Sequence, residues 1–188
     1  AVNIDPGKPG PRPRVGVVAQ SGGLGFAIYN RGRAEGLDFS TIASVGNQAD
    51  LELVDYAEAL LDDPDTSVIA LFAEGLQNPE RFKAFARRAA ELNKPVVIAK
   101  VGSSQAGKRA VESHTGSLSG SDSAYDAVFD RYGVIRVHSV EEMLEVSAMF
   151  TRYPRVAGNR VAVISSPGRY SGLSPAGTAR RSPSCSMT

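Results

Sequence analysis

The sequence predicts an α/β fold, a parallel β-sheet with helices packed on both of its faces. Three observations carry this. Five short apolar runs, rich in valine and isoleucine, are each followed by a segment whose apolar residues recur at helical spacing. Short βα units of that kind close by right-handed crossovers, which sets neighbouring strands parallel. The first run, VGVVA, is apolar throughout instead of alternating, the pattern of a strand covered on both sides. Finally, the chain has 188 residues of which 42% are apolar, room for one domain and a little more with a real core.

Residues 1–14 carry four prolines and two glycines and read as an extended linker. Val15 to Ala19 is the first strand. Gln20-Ser21-Gly22-Gly23 turns out of it, and Ser21 is placed to cap a helix with Leu24, Ala27 and Ile28 on its apolar face. Gly36 closes that helix. Thr41 to Val45 is the second strand, Gly46 to Asp50 a polar crest, and Asp50 the expected cap of a helix over Leu51 to Leu61. Leu53, Val54, Ala57, Leu60 and Leu61 form its buried face, and Asp62-Asp63-Pro64 ends it. Val68 to Phe72 is the third strand, followed directly by Ala73-Glu74-Gly75. Asn78-Pro79 then starts a helix with an asparagine cap and proline in the first turn. Phe82, Phe85, Ala86 and Ala89 are its core stripe. Val96 to Ala99 is the fourth strand. The connection from Lys100 to Gly120 is long for an αβ protein, and loops of that length are usually functional or mobile. Ser119 and Asp122 have capping-box spacing for the next helix, with Ala124, Tyr125, Val128, Phe129 and Tyr132 apolar. Val134 to Val137 is the fifth strand. Ser139 with Glu142 forms a second capping box, opening a helix that buries Met143, Leu144, Val146, Met149 and Phe150.

After a Pro154 to Gly158 linker, Arg160 to Ser165 (RVAVIS) reads as a sixth strand. From Pro167 onward there are no acids and almost no apolar pattern. Such a segment cannot bury enough surface to offset its ordering entropy. Residues 158–188 are expected to be the truncated or altered start of a following domain, largely disordered, with a natural basic tail as the other reading. Because the chain begins at Ala1, its natural N-terminus is expected to lie upstream.

Composition narrows the function classes. The net charge is +1, so nothing implies a dedicated nucleic-acid or acidic-membrane partner. No apolar run reaches transmembrane length. The single cysteine, Cys185, leaves no intrachain disulfide or thiolate metal cluster, and that usage fits a reducing, cytoplasmic compartment.

Ligand sites in open α/β sheets lie at the carboxyl ends of the strands. Four polar crests are therefore expected on one edge: Gln20 to Gly23, Gly46 to Asp50, Glu74-Gly75, and the loop VESHTGSLSGSDS from Val111 to Ser123. That loop carries His114, one of only two histidines. A loop histidine is a candidate nucleophile, base or ligand, because its nitrogens stay reactive near neutral pH; otherwise it is a surface histidine in a polar loop. Ser21-Gly22-Gly23 at a helix N-terminus offers backbone N–H groups and a dipole to an anion. The dinucleotide pattern GxGxxG is absent after the first strand, and so is GxxxxGK[ST]. Glu74 is either a helix cap or solvated loop acid, or a carboxylate that hydrogen-bonds one nitrogen of His114, fixing its tautomer and raising the basicity of the other. His138 reads as structural. No second histidine or cysteine is placed to complete a metal site.

Four motifs in order, Ala19-Gln20-Ser21-Gly22-Gly23, SVGNQAD at Ser44 to Asp50, FAEG at Phe72 to Gly75 and SHTGSLSGSD at Ser113 to Asp122, resemble the nucleoside-diphosphate-forming acyl-CoA synthetases, relatives of succinyl-CoA synthetase. The likeness covers about Val15 to Met149. It implies the flavodoxin-like domain of that family, over residues 15–157, as a three-layer sandwich whose five-stranded parallel sheet runs in the order 2-1-3-4-5. It further implies that His114 is the phosphohistidine, steadied by Glu74. Ser21, Gly22 and Gly23 would then bind phosphate, with Ser113, Thr115 and Gly116 as the supporting loop. The family reaction joins a small carboxylic acid to CoA through an acyl phosphate, turning over ATP/ADP or GTP/GDP with magnesium. Its CoA-binding Rossmann domain and ATP-grasp domain are absent from this sequence and would be partners in cis or on another subunit. No cofactor is expected to bind this stretch tightly alone. The chain departs from the pattern at Ala19, where serine is common, and after Ser165, where a glycine-rich turn and helix would follow. Two further readings stand beside the enzyme domain: a module that binds a phosphate- or CoA-type ligand without covalent chemistry, and an interdomain scaffold.

Overall fold

A computed structural model describes residues 13–101 and 122–153. They form five strands and five helices in strict alternation. The strands are β1 (Arg14–Ala19), β2 (Phe39–Ser44), β3 (Thr66–Ala73), β4 (Val96–Lys100) and β5 (Ile135–Val137). The helices are α1 (Gly22–Ala34), α2 (Leu53–Asp62), α3 (Pro79–Glu91), α4 (Asp122–Tyr132) and α5 (Val140–Arg152). All strand pairs are parallel, in the order β2-β1-β3-β4-β5. This is the expected flavodoxin-like sandwich. Aside from Pro13 and Arg14, the linker expected over 1–14 lies outside the described residues, as does the segment 158–188.

Successive strand residues point to opposite faces, and the core divides accordingly. Val18, Ile69, Leu71, Val96 and Ile98 pack with α2, α3 and α4, through Leu53, Ala57, Phe82, Phe85 and Phe129. Val15, Val17, Val68, Ala70, Val97 and Ala99 pack with α1 and α5, through Ile28, Met143 and Leu144. The first layer is rich in aromatics: Phe82 stands 5.7 Å from both Phe85 and Phe129, centroid to centroid. On the other side α1 approaches β2 so closely that a Cβ at Gly32 would lie 2.4 Å from the Phe39 ring.

Phe39 also explains why β2 begins before the expected Thr41. It pairs with Val15 and is buried, so the chain joins the sheet as soon as its ring can enter the core. Three of the residues expected on apolar helix faces, Ala27, Ala124 and Met149, are exposed instead. They lie at the margins of their stripes, where the helix turns away from the sheet.

Helix starts divide into local and non-local cases. Asn78 caps α3 as expected, its side chain accepting from Arg81 N–H at 3.0 Å. Ser139 caps α5 by accepting from Glu142 N–H at 3.1 Å, and the Glu142 carboxylate returns to the His138 N–H at 2.7 Å. His138 itself is exposed, and only its backbone N–H takes part in this cap. Asp50, however, does not cap α2. The helix starts later, with Glu52 at its N-cap; the Asp55 carboxylate takes the Glu52 N–H at 2.6 Å and the Gln48 side-chain amide oxygen takes the Leu53 N–H at 2.7 Å. Gln48 can reach because its backbone is left-handed, φ 55°, which turns the crest back over the helix. Ser119, the expected cap of α4, lies outside the described residues.

Candidate functional site

The carboxyl ends of β1, β3 and β4 lie side by side, because these three strands are adjacent in the sheet. Gln20 leaves β1 with its N–H on the Phe72 carbonyl at 3.0 Å, and Val101 leaves β4 with its N–H on the Ala73 carbonyl at 3.0 Å. Between them stands the crest Glu74-Gly75.

Gln20 organises this edge, and nothing in its sequence setting singles it out. The residue is 8% exposed. Its amide oxygen accepts from the N–H groups of Glu74, at 2.5 Å, and Gly75, at 3.1 Å, while its amide nitrogen donates to the Gly75 carbonyl at 2.7 Å. Two donors on one atom and an acceptor on the other define which way the amide points. A primary amide offers both functions on one planar group. Lys100 is the second such residue. It is the last residue of β4 and is buried, its ammonium donating to the carbonyls of Glu74 and Val101, both at 2.7 Å. A lysine ending an apolar strand reads as a solvated tip, so only its partners reveal it.

Glu74 itself is half-buried, with its backbone held from both sides. Ser21, Gly22 and Gly23 begin α1 next to it. Ser21 is the N-cap by backbone geometry, but its hydroxyl makes no capping hydrogen bond, contrary to expectation. Gly22 and Gly23 are exposed, no acid stands in the first turn, and a Cβ on Gly23 would meet nothing within 4 Å. Among the described residues nothing covers the start of α1 at Gly23, and a helix N-terminus in that state favours an anion. Ser44 ends β2 beside Ala19, its hydroxyl 3.6 Å from where a Cβ of Gly22 would stand. His114, Ser113, Thr115 and Gly116 lie outside the described residues, and the expected contact between Glu74 and His114 lies there with them. The structure thus joins Glu74 to the α1 start through Gln20.

Residues 12–150 match the model of the succinyl-CoA ligase like flavodoxin domain. The chain belongs to this family. It is 41% identical over 154 residues to the alpha subunit of ADP-forming acetate–CoA ligase II of Pyrococcus furiosus, a match covering 82% of this chain and 33% of that protein. To the ADP-forming acetate–CoA ligase of Methanocaldococcus jannaschii it is 35% identical over 160 residues, covering 85% of this chain and 22% of the other. Among solved structures, an acetyl-coenzyme A synthetase of Ca. Korarchaeum cryptofilum in complex with phosphate and ADP superimposes with a TM-score of 0.69 at 34% identity, over 78% of this chain and 32% of that one. As a member of the succinyl-CoA ligase like flavodoxin family, the chain spans a third or less of the length of these relatives. No described helix is long and apolar enough to cross a membrane.

Proposed function

We propose that this domain is the phosphoryl relay of a nucleoside-diphosphate-forming acid–CoA ligase. One observation carries most of the reading: in a chain of this family, the N-terminus of α1, exposed at Gly22 and Gly23, is tied through Gln20 to the crest that bears Glu74. An anion-favouring helix start beside a carboxylate is what a histidine needs to be oriented and, once phosphorylated, stabilised.

In this reading one nitrogen of His114 accepts the phosphoryl group, forming an N–P bond as ADP or GDP leaves. That group then passes to the oxygen of a small carboxylic acid, giving an acyl phosphate from which the CoA thiol displaces phosphate; in reverse the same steps make ATP or GTP. Glu74 holds the other ring nitrogen as N–H, fixing the tautomer. The α1 residues Ser21, Gly22 and Gly23 face the charge of the phosphorylated ring, and Ser113, Thr115 and Gly116 shape the loop around it. Phosphoryl transfer asks chiefly for such positioning and charge stabilisation. CoA and nucleotide would sit on a CoA-binding Rossmann domain and an ATP-grasp domain, in cis or on another subunit, in a cytoplasmic enzyme. Magnesium would enter with the nucleotide; among the described residues no cluster of three His, Cys, Asp or Glu side chains could hold a metal. Residues 15–157 would be the folding unit, with 1–14 as linker and 158–188 as the start of a following domain.

The test is phosphohistidine mapping by mass spectrometry on the full-length protein incubated with nucleotide. His114→Gln is expected to abolish phosphoenzyme and turnover. Glu74→Gln, which keeps a hydrogen-bonding group and removes charge, should slow phosphoenzyme formation about 10- to 100-fold, the usual cost of losing an orienting partner. Phosphate on another residue, or undiminished turnover in His114→Gln, would defeat the relay and leave a phosphate-binding module in its place.

A further inference from the structure

Lys100 is 4% exposed, at the end of a strand whose other residues are all apolar. Lysine is almost never so buried unless paired, and dehydrating an ammonium is costly. Its partners include two backbone carbonyls, and its Nζ stands 5.3 Å from the centroid of the buried Tyr125 ring, a cation–π contact. A valine or isoleucine would complete the strand without that cost. The geometry shows what the lysine does instead.

A peptide group is planar, so fixing the two peptides that flank a residue sets the direction of its Cα–Cβ bond. Gln20 holds the Glu74 N–H, and with it the peptide before Glu74. Lys100 holds the Glu74 carbonyl, and with it the peptide after. Gln20 grips that second peptide as well, through the Gly75 N–H. The same ammonium binds the Val101 carbonyl, so the crest after β3 is tied to the exit of β4. We propose that Lys100 is a positioning residue for phosphoryl transfer: by bridging the carbonyls of Glu74 and Val101 it aims the Glu74 carboxylate. This inference rests on the relay reading above.

The experiment is rapid-quench measurement of phosphoenzyme formation in the full-length enzyme, with Lys100→Met, Glu74→Gln, the double variant and His114→Gln side by side. Lys100→Met is expected to slow phosphoenzyme formation about 10- to 100-fold, with the half-saturating nucleotide concentration unchanged. The double variant should be no slower than Glu74→Gln alone, since the lysine acts through that carboxylate. Losses that multiply in the double variant would reduce Lys100 to a general structural support and overturn the proposal. A wild-type rate in Lys100→Met would overturn it too. Should Lys100→Met fail to fold, Lys100→Arg, which keeps the charge and changes the donor geometry, is read in the same cycle against the same outcomes. Phosphoenzyme persisting in His114→Gln would instead sink the relay itself, whereas its loss there beside a normal rate in Lys100→Met would sink only the lysine.

Discussion

At the scale of single residues, the site edge depends on side chains that satisfy backbone groups where the strands end and no ladder partner is left. Every buried N–H and C=O needs a partner, and a crest that leaves a sheet has outrun its neighbours. Gln20 and Lys100 supply those partners for Glu74 and Gly75. Gln20→Leu would keep the bulk and leave the crest groups without a partner. It should destabilise the chain by about 1–3 kcal/mol, the cost of a buried unpaired polar group. Gln20→Glu should rescue it only in part, because a carboxylate accepts the two N–H groups and has no donor for the Gly75 carbonyl. Urea denaturation of the chain would check both, and an unchanged midpoint in Gln20→Leu would remove Gln20 from its organising place. Neither residue announces itself in the sequence. Glutamine after an apolar strand looks like the first residue of a turn, and its partners lie 54 and 55 residues away. Glu74 and the Ser21-Gly22-Gly23 turn stand out in the sequence because acid and glycine types at a strand exit carry chemistry by themselves.

At the scale of elements, the caps at Asn78 and Ser139 were legible, whereas the Ser21 hydroxyl makes no capping bond and α2 starts from Glu52 instead of Asp50. Asn78 and Ser139 act on N–H groups three residues on, a spacing that the sequence displays. The end of α2 shows the opposite case: Lys94 donates to the carbonyls of Leu60, Leu61 and Asp63, all at 2.9 Å, closing that helix from across the structure. Its start is charged as well. The Asp55 carboxyl is held below its ordinary range, first by the Glu52 backbone N–H and then by the Arg81 guanidinium, which also grips Glu58 at 2.6 Å and so joins α3 to α2. A carboxyl depressed in the folded state contributes stability above its unfolded value, roughly pH 4, and loses it as pH falls through the folded value. The stability gap between the parent chain and Asp55→Asn should therefore be widest near neutrality and close as the pH drops below about 4. Urea titrations across that range measure it. A gap that stays constant to about pH 2 would mean that the charge of Asp55 is not what holds the α2 start.

At the scale of the whole sheet, legibility follows from what periodicity encodes. VGVVA, SVIALF and VVIA are apolar on both parities because both faces are covered, so the strands and their parallel pairing could be read directly. The assignment of helices to faces could not, since either face accepts an amphipathic helix; it follows from the order β2-β1-β3-β4-β5 with right-handed crossovers. That order puts α2, α3 and α4 on one side, and α1 and α5 on the other. The two layers share the sheet backbone and no side-chain cluster, which makes them energetically separable. Ile28→Val, in the α1 layer, and Ile98→Val, in the opposite one, should each cost about 0.5–1.5 kcal/mol. Combined, they should add to within about 0.5 kcal/mol, because they have no packing partner in common. Phe82→Leu and Phe129→Leu, whose rings meet edge to face at 5.7 Å within one layer, should instead show a coupling of about 0.5–1.5 kcal/mol. Both cycles can be measured by urea denaturation under the same conditions. Coupling across the sheet as large as that between the two phenylalanines would show that the strands transmit packing from face to face, and that the sandwich behaves as one core instead of two.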